Sequence, residues 1–122
     1  MMLPPVYRTI RTPMVQAIVG ERIYGSGKAP QGTPTPYITW FSVVGQPYDQ
    51  ISGAPCGDND AIQIDCWTGP ADDQEVVCIG LASAVRDALD AAGIANRLVV
   101  HLREEGTDFF RIGQQADFIH SR

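Results

Sequence analysis

The feature that most limits how this chain can fold is the stretch from Asp72 to Gly93, in which Val77, Leu81, Ala84, Val85, Ala88 and Leu89 recur at helical spacing. Residues three and four apart lie on one side of a helix, so these six form an apolar stripe that must be covered. Asp72 and Glu75, three apart, predict a capping box and suit the positive end of the helix dipole. Gly93 predicts the stop. Burying the four larger side chains contributes about 1.5–3 kcal/mol each before the entropy of ordering is subtracted, which makes this helix the organiser of the core.

The flanking segments say what the stripe packs on. Residues 37–44 are rich in β-branched and aromatic side chains and predict a strand. Residues 61–67 predict a second, with Ile62, Ile64 and Cys66 facing the core and Gln63, Asp65 and Trp67 facing away. After the helix, Leu98, Val100 and Leu102 alternate in a third strand. Phe110, Ile112, Ala116 and Phe118 share a parity in a fourth, and the hydrophilic turn 104–108 with Gly106 joins these two as an antiparallel hairpin. Toward the N-terminus, residues 3–10 and 14–19 read as helix. Thr12 and Pro13 supply an N-cap and a first-turn proline, Pro13 kinking one helix or dividing two, and Gly20 supplies an end. Ile23 and Tyr24 have room for a very short strand; residues 25–36, rich in Gly and Pro, are loop. The prediction is an α+β fold: a mostly antiparallel four-stranded sheet packed against one long helix, with an N-terminal helix, in a single domain over residues 1–122.

Both parities of the sheet carry bulky side chains. Tyr37, Phe41 and Val43 oppose Ile38, Trp40 and Val44, and Trp67, Val99, Phe109 and Ile119 lie away from the core sets. A sheet apolar on both faces needs a second cover, supplied by the N-terminal helix or by a neighbouring subunit. The connection 45–59 is long enough to expect a role, and holds Tyr48, Ile51 and Cys56. The candidate interface residues are therefore Tyr37, Phe41, Val43, Tyr48, Ile51, Trp67 and Phe109.

Composition excludes several functions. Apolar residues at 44% and charged residues at 19% describe a folding domain, not a solvated chain. A net charge of −5 repels phosphate backbones, so DNA is expected only as a passing neighbour. The first nineteen residues, with Arg8, Arg11 and three prolines, form neither a signal peptide nor a membrane span, which predicts the cytoplasm. Cys56, Cys66 and Cys78 match neither a disulfide framework nor a zinc motif and read as free thiols, Cys66 as a buried, inert one. His101 and His120 have Glu104, Glu105 and Asp117 nearby in sequence, but no HExxH, GxSxG or Cys/His cluster accompanies them. Gly25, Gly27 and Lys28 do not complete a phosphate loop. No catalytic, cofactor or metal residue is assigned.

Taken together, Gly20-Glu21-Arg22-Ile23-Tyr24, Ala29-Pro30-Gln31-Gly32, Pro36-Tyr37-Ile38-Thr39-Trp40, Ile51-Ser52-Gly53, Gln63-Ile64-Asp65-Cys66-Trp67 and Ala84-Val85-Arg86-Asp87-Ala88-Leu89 resemble, in order and spacing, the phage tail completion proteins, also called tail terminators or tail-to-head joining proteins. The resemblance covers nearly the whole chain. It implies a structural virion protein, with no catalytic residues, that assembles, typically as six subunits, on the end of the tail tube. Such a ring stops tube polymerisation and meets the head connector, with DNA only passing through the lumen. It implies assembly in the host cytoplasm and then residence in the virion, from a phage, a prophage or a gene-transfer particle. Pro13, and Asp60-Ala61 where a basic residue is common, depart from the family pattern. Two alternatives stand beside this reading: a head completion or connector subunit of the same joint, and a small ligand-binding domain or enzyme using His101 with Asp65 or Asp117.

Overall fold

The computed structural model describes residues 5–43 and 58–120. Its elements are α1 (Val6–Ile10), α2 (Pro13–Val19), β1 (Ile23–Tyr24), β2 (Tyr37–Val43), β3 (Asp58–Thr68), α3 (Gln74–Ala91), β4 (Ala95–Arg103) and β5 (Phe110–His120). One sheet runs in the order β1-β2-β3-β5-β4, with β1 parallel to β2 and every other pair antiparallel. The α+β class stands. The sheet has a fifth strand only because Ile23 and Tyr24 align beside Ile38 and Thr39.

All three helices lie on one face. Ile62, Ile64 and Cys66 from β3 and Phe110, Ile112, Ala116 and Phe118 from β5 are buried there against Leu81, Ala84, Val85, Ala88 and Leu89 of α3. α1 and α2 pack against α3 and bring Val6, Ile10, Val15 and Val19 into the same core. Gln114 sits among these apolar side chains and is itself buried, its Nε2 donating to Ala82 O at 2.7 Å.

Pro13 divides two helices. Thr12 is extended (φ −85°, ψ 165°) and its Oγ1 accepts from Val15 N at 3.4 Å, so α2 starts afresh with proline in its first turn, where no N–H is needed. Gly20, at φ +61°, turns the chain out of α2 and donates its N–H to Gln16 O.

Three expectations are corrected. The capping box does not form: Asp73 is the N-cap, in an αR conformation, and no side chain caps α3. Asp72 and Glu75 turn instead to Arg103 and His101 of the neighbouring β4. Cys78, not Val77, completes the buried stripe of α3. In β4 the alternation is broken by a bulge between Leu98 and Val100. Leu98 stays on the helix side, Val100 and Leu102 move to the other, and no side chain of the strand is buried. The physical reason is width: α3 lies over β3 and β5, and β4 at the edge falls beyond its cover.

Candidate functional site

The pairing of β2 with β3, and of β3 with β5, fixes which side chains face away from the helices. Tyr37 lies beside Trp67, Thr39 beside Asp65, Phe41 beside Gln63 and Val43 beside Ala61; across β3, Trp67 meets Arg111 and Asp65 meets Gly113. The N-terminal helices join α3 on the opposite side, so no described helix covers this face. Four of the interface residues expected from sequence, Tyr37, Phe41, Val43 and Trp67, are brought together on it, each half-buried. Phe109 is in the turn before β5, its carbonyl accepting from Glu104 N at 2.8 Å. Tyr48 and Ile51 lie outside the described residues with 45–57 of the connection expected to be functional, while Asp58 and Asn59, expected to end it, already belong to β3.

The face has an aromatic part and a charged part, and Trp67 joins them. Its ring stacks on Tyr37 with centroids 6.1 Å apart, its Nε1 donates to Thr39 Oγ1 at 2.9 Å, and the Arg111 guanidinium lies 5.3 Å from its centroid. Arg111 also reaches two carboxylates, Asp65 Oδ2 at 3.1 Å and Glu104 Oε1 at 2.9 Å. Burial pulls the Arg111 guanidinium's pKa down, but Asp65 and Glu104 more than offset that, and it ends raised. Gln63 Nε2 donates to Asp65 Oδ1 at 3.0 Å, so the buried Asp65 carboxylate has both oxygens engaged. Phe41 is partly covered by its own chain: Gly27, at φ +72°, packs against the ring, where an added Cβ would come within 3.3 Å.

Sequence reasoning missed the Asp65–Arg111–Glu104 network. A signal exists, since Asp65 and Arg111 each sit on the parity opposite the apolar set of their strand; what periodicity does not supply is that β3 and β5 are neighbours.

His101 does not meet Asp65 or Asp117, and the side chain of His120 lies outside the described residues. His101 lies on the helix side of β4, 3.2 Å from Glu75 of α3, whereas Asp65 is on the far face and held by Arg111. Asp117 belongs to that far face as well. His101 and Glu75 are both solvent-exposed, and such a pair contributes about 0–1 kcal/mol. Cys66 is buried as expected, and burial pushes its thiol well above the ordinary range; Cys78 is buried beside it and is pushed up to about 11. Cys56 lies outside the described residues. Among the described residues no cluster of three His, Cys, Asp or Glu side chains could hold a metal ion, and no helix is long and apolar enough to cross a membrane.

Residues 5–120 match the family described as Tail completion protein gp17, and the chain belongs to that family. It is, in consequence, a structural protein of phage tail assembly. No curated relative matches it. Among solved structures, a chain of the "Virion of native gene transfer agent (GTA) particle" shares its fold at a TM-score of 0.64 and 20% identity, over 94% of this chain and 92% of that one.

Proposed function

We propose that this chain completes the tail by capping the tail tube: subunits gather into a ring, six in number by family resemblance, that halts tube polymerisation and joins the tube to the head connector. The observation that carries the reading is the family match over residues 5–120. The face that no described helix covers supports it, because aromatic and aliphatic side chains arranged around an ion-pair network suit contact with another protein. In this reading Tyr37, Phe41, Val43, Trp67 and Phe109 meet a neighbouring virion protein, and Tyr48 and Ile51 extend the contact. DNA passes through the lumen without binding, in keeping with the net charge of −5. Assembly takes place in the host cytoplasm, and the finished protein stays in the virion at the head–tail joint.

The test is electron microscopy of lysates from the encoding phage with an early stop codon in this frame. Filled heads beside separate tails, with tails of abnormal length, are expected; normal joined virions would refute the role. Complementation then reads the face itself. The wild-type chain restores joined virions, whereas Val43→Asp with Trp67→Ala, once shown to melt as a folded chain, restores few. Full restoration would remove the face from the proposal.

A further inference from the structure

β4 pairs only with β5, so its outer side has no strand beside it among the described residues. A free edge offers a row of backbone donors and acceptors, which proteins guard with proline, lysine or a bulge. The nine residues of β4 hold no proline or lysine. The bulge interrupts the strand between Leu98 and Val100 and leaves Ala95 to Leu98 as a regular run. Leucines meet solvent on both sides of the strand: Leu98, 61% exposed, on the helix side, and Leu102, 43% exposed, on the other.

Beside that run, on the helix side, lies an open groove of about 490 Å³ between α3 and β4. It exists because α3 stops short of the edge strand and turns the small residues Ala82 and Ser83 toward it. Its apolar part is Ile79, Ala82, Leu98 and Ile112. The ionisable side chains that line it are Arg86, Arg97 and His101, and no acid lines it, in a chain whose net charge is −5.

These bases differ in how far acids already engage them. His101 is held by Glu75 at 3.2 Å. Arg86 lies 3.8 Å from Asp90, and with both side chains more than half exposed such a pair is weak. Arg97 has no carboxylate partner among the described residues; its Nη2 donates to the neutral Gln115 Oε1 at 3.3 Å. Two guanidinium groups thus stand beside an apolar groove with little to balance them.

We infer that β4 and this groove receive an extended, acidic segment of another protein: its backbone pairs with Ala95 to Leu98, an apolar side chain enters the groove between Ile79 and Leu98, and carboxylates near it meet Arg86 and Arg97. Charge selects the occupant. The ionisable side chains of β4, namely Arg97, His101 and Arg103, are all bases, so the β4 of a second copy laid against it would set base against base. An acidic strand sets opposite charges side by side instead. The free edge selects the extended form, because an added strand satisfies the backbone of β4 while its alternate side chains fall on the groove side. A helix lying in the groove would leave that backbone unpaired. The surface is on the opposite side of the sheet from Tyr37 and Trp67, and the inference stands apart from the capping role.

The test is selection on the purified full chain from a library of random peptides of about twelve residues, about 40 Å when extended. The enriched peptides should carry net negative charge and at least one large apolar residue. The best of them, synthesised and labelled, should slow hydrogen exchange of the Ala95 to Leu98 amides and bind, by fluorescence anisotropy, at least about tenfold more weakly to Leu98→Glu. Arg86→Glu with Arg97→Glu should also lose about tenfold, and should prefer the same peptide with its acids replaced by lysine, a reversal that a merely structural role would not produce. Each variant is first shown to melt like wild type, and Leu98→Ala serves if Leu98→Glu does not. No enrichment, enriched peptides that are neutral or basic, binding that the variants leave unchanged, or protection of other strands in place of β4 would each overturn the inference. So would a wild-type chain that sediments as an assembly which Leu98→Glu alone dissolves, because the edge would then belong to a second copy. None of those results touches tail completion, which the stop-codon lysate reads separately.

Discussion

Gly113 stands opposite Asp65 in the pairing of β3 with β5, and a Cβ built on it falls 2.5 Å from Asp65 Oδ1 and 3.3 Å from both Gln63 Nε2 and Val100 Cβ. Alanine there would displace a buried carboxylate from its two partners, and the expected loss is about 1–3 kcal/mol. Urea unfolding of Gly113→Ala checks this, and an unchanged midpoint would mean that the network yields at no cost. The two buried thiols make a second prediction at this scale. Cys78 donates to Cys66 O at 3.3 Å, and burial raises its pKa from about 9 to about 11. The unfolded thiol ionises first, so the contribution is fully present below pH 9 and is lost as pH rises toward 11. Unfolding midpoints of the wild type should therefore fall more steeply over that window than those of Cys78→Ala. Equal slopes would assign the decline to other groups.

At the scale of elements, α2 gives the plainest test. Thr12 is its N-cap, and with a bond of 3.4 Å the Thr12→Ala change should cost about 0.5–1 kcal/mol in thermal unfolding. No loss would show that Pro13 alone starts the helix. Signals of this kind, local in the chain, are the ones that could be read without a structure: the Thr-Pro start, the Gly20 end, the α3 stripe, and the parities of β3 and β5. The errors have a shared origin. The Asp72–Glu75 spacing fits a capping box, but Arg103 and His101 from β4 take both acids. Leu98, Val100 and Leu102 alternate in sequence, yet a bulge and a position beyond α3 decide their exposure. In each case a distant part of the chain outweighed a local preference.

At the scale of the molecule, the described residues form a sheet with helices on one side, and its strands should differ in stability by position. β3 and β5 are flanked on both sides, so their amides are expected to exchange slowest, with β1 and β4 opening first. Hydrogen exchange of the dilute chain tests this, and protection of β4 equal to that of β5 would contradict it. The candidate face was half legible. Composition of the strands announced that both sides were apolar and named Tyr37, Phe41, Val43 and Trp67, but the side on which the N-terminal helices settle is a tertiary fact. So is the adjacency that makes an ion pair of Asp65 and Arg111. That pair has a consequence for folding. Sliding β5 by one residue against β3 would turn Arg111 into the oily layer beneath α3, strand Asp65 without its cation, and carry Ile112 out to water. A misaligned chain thus declares itself by two orphaned charges, and a single acid and a single base serve the sheet as its proofreading mark.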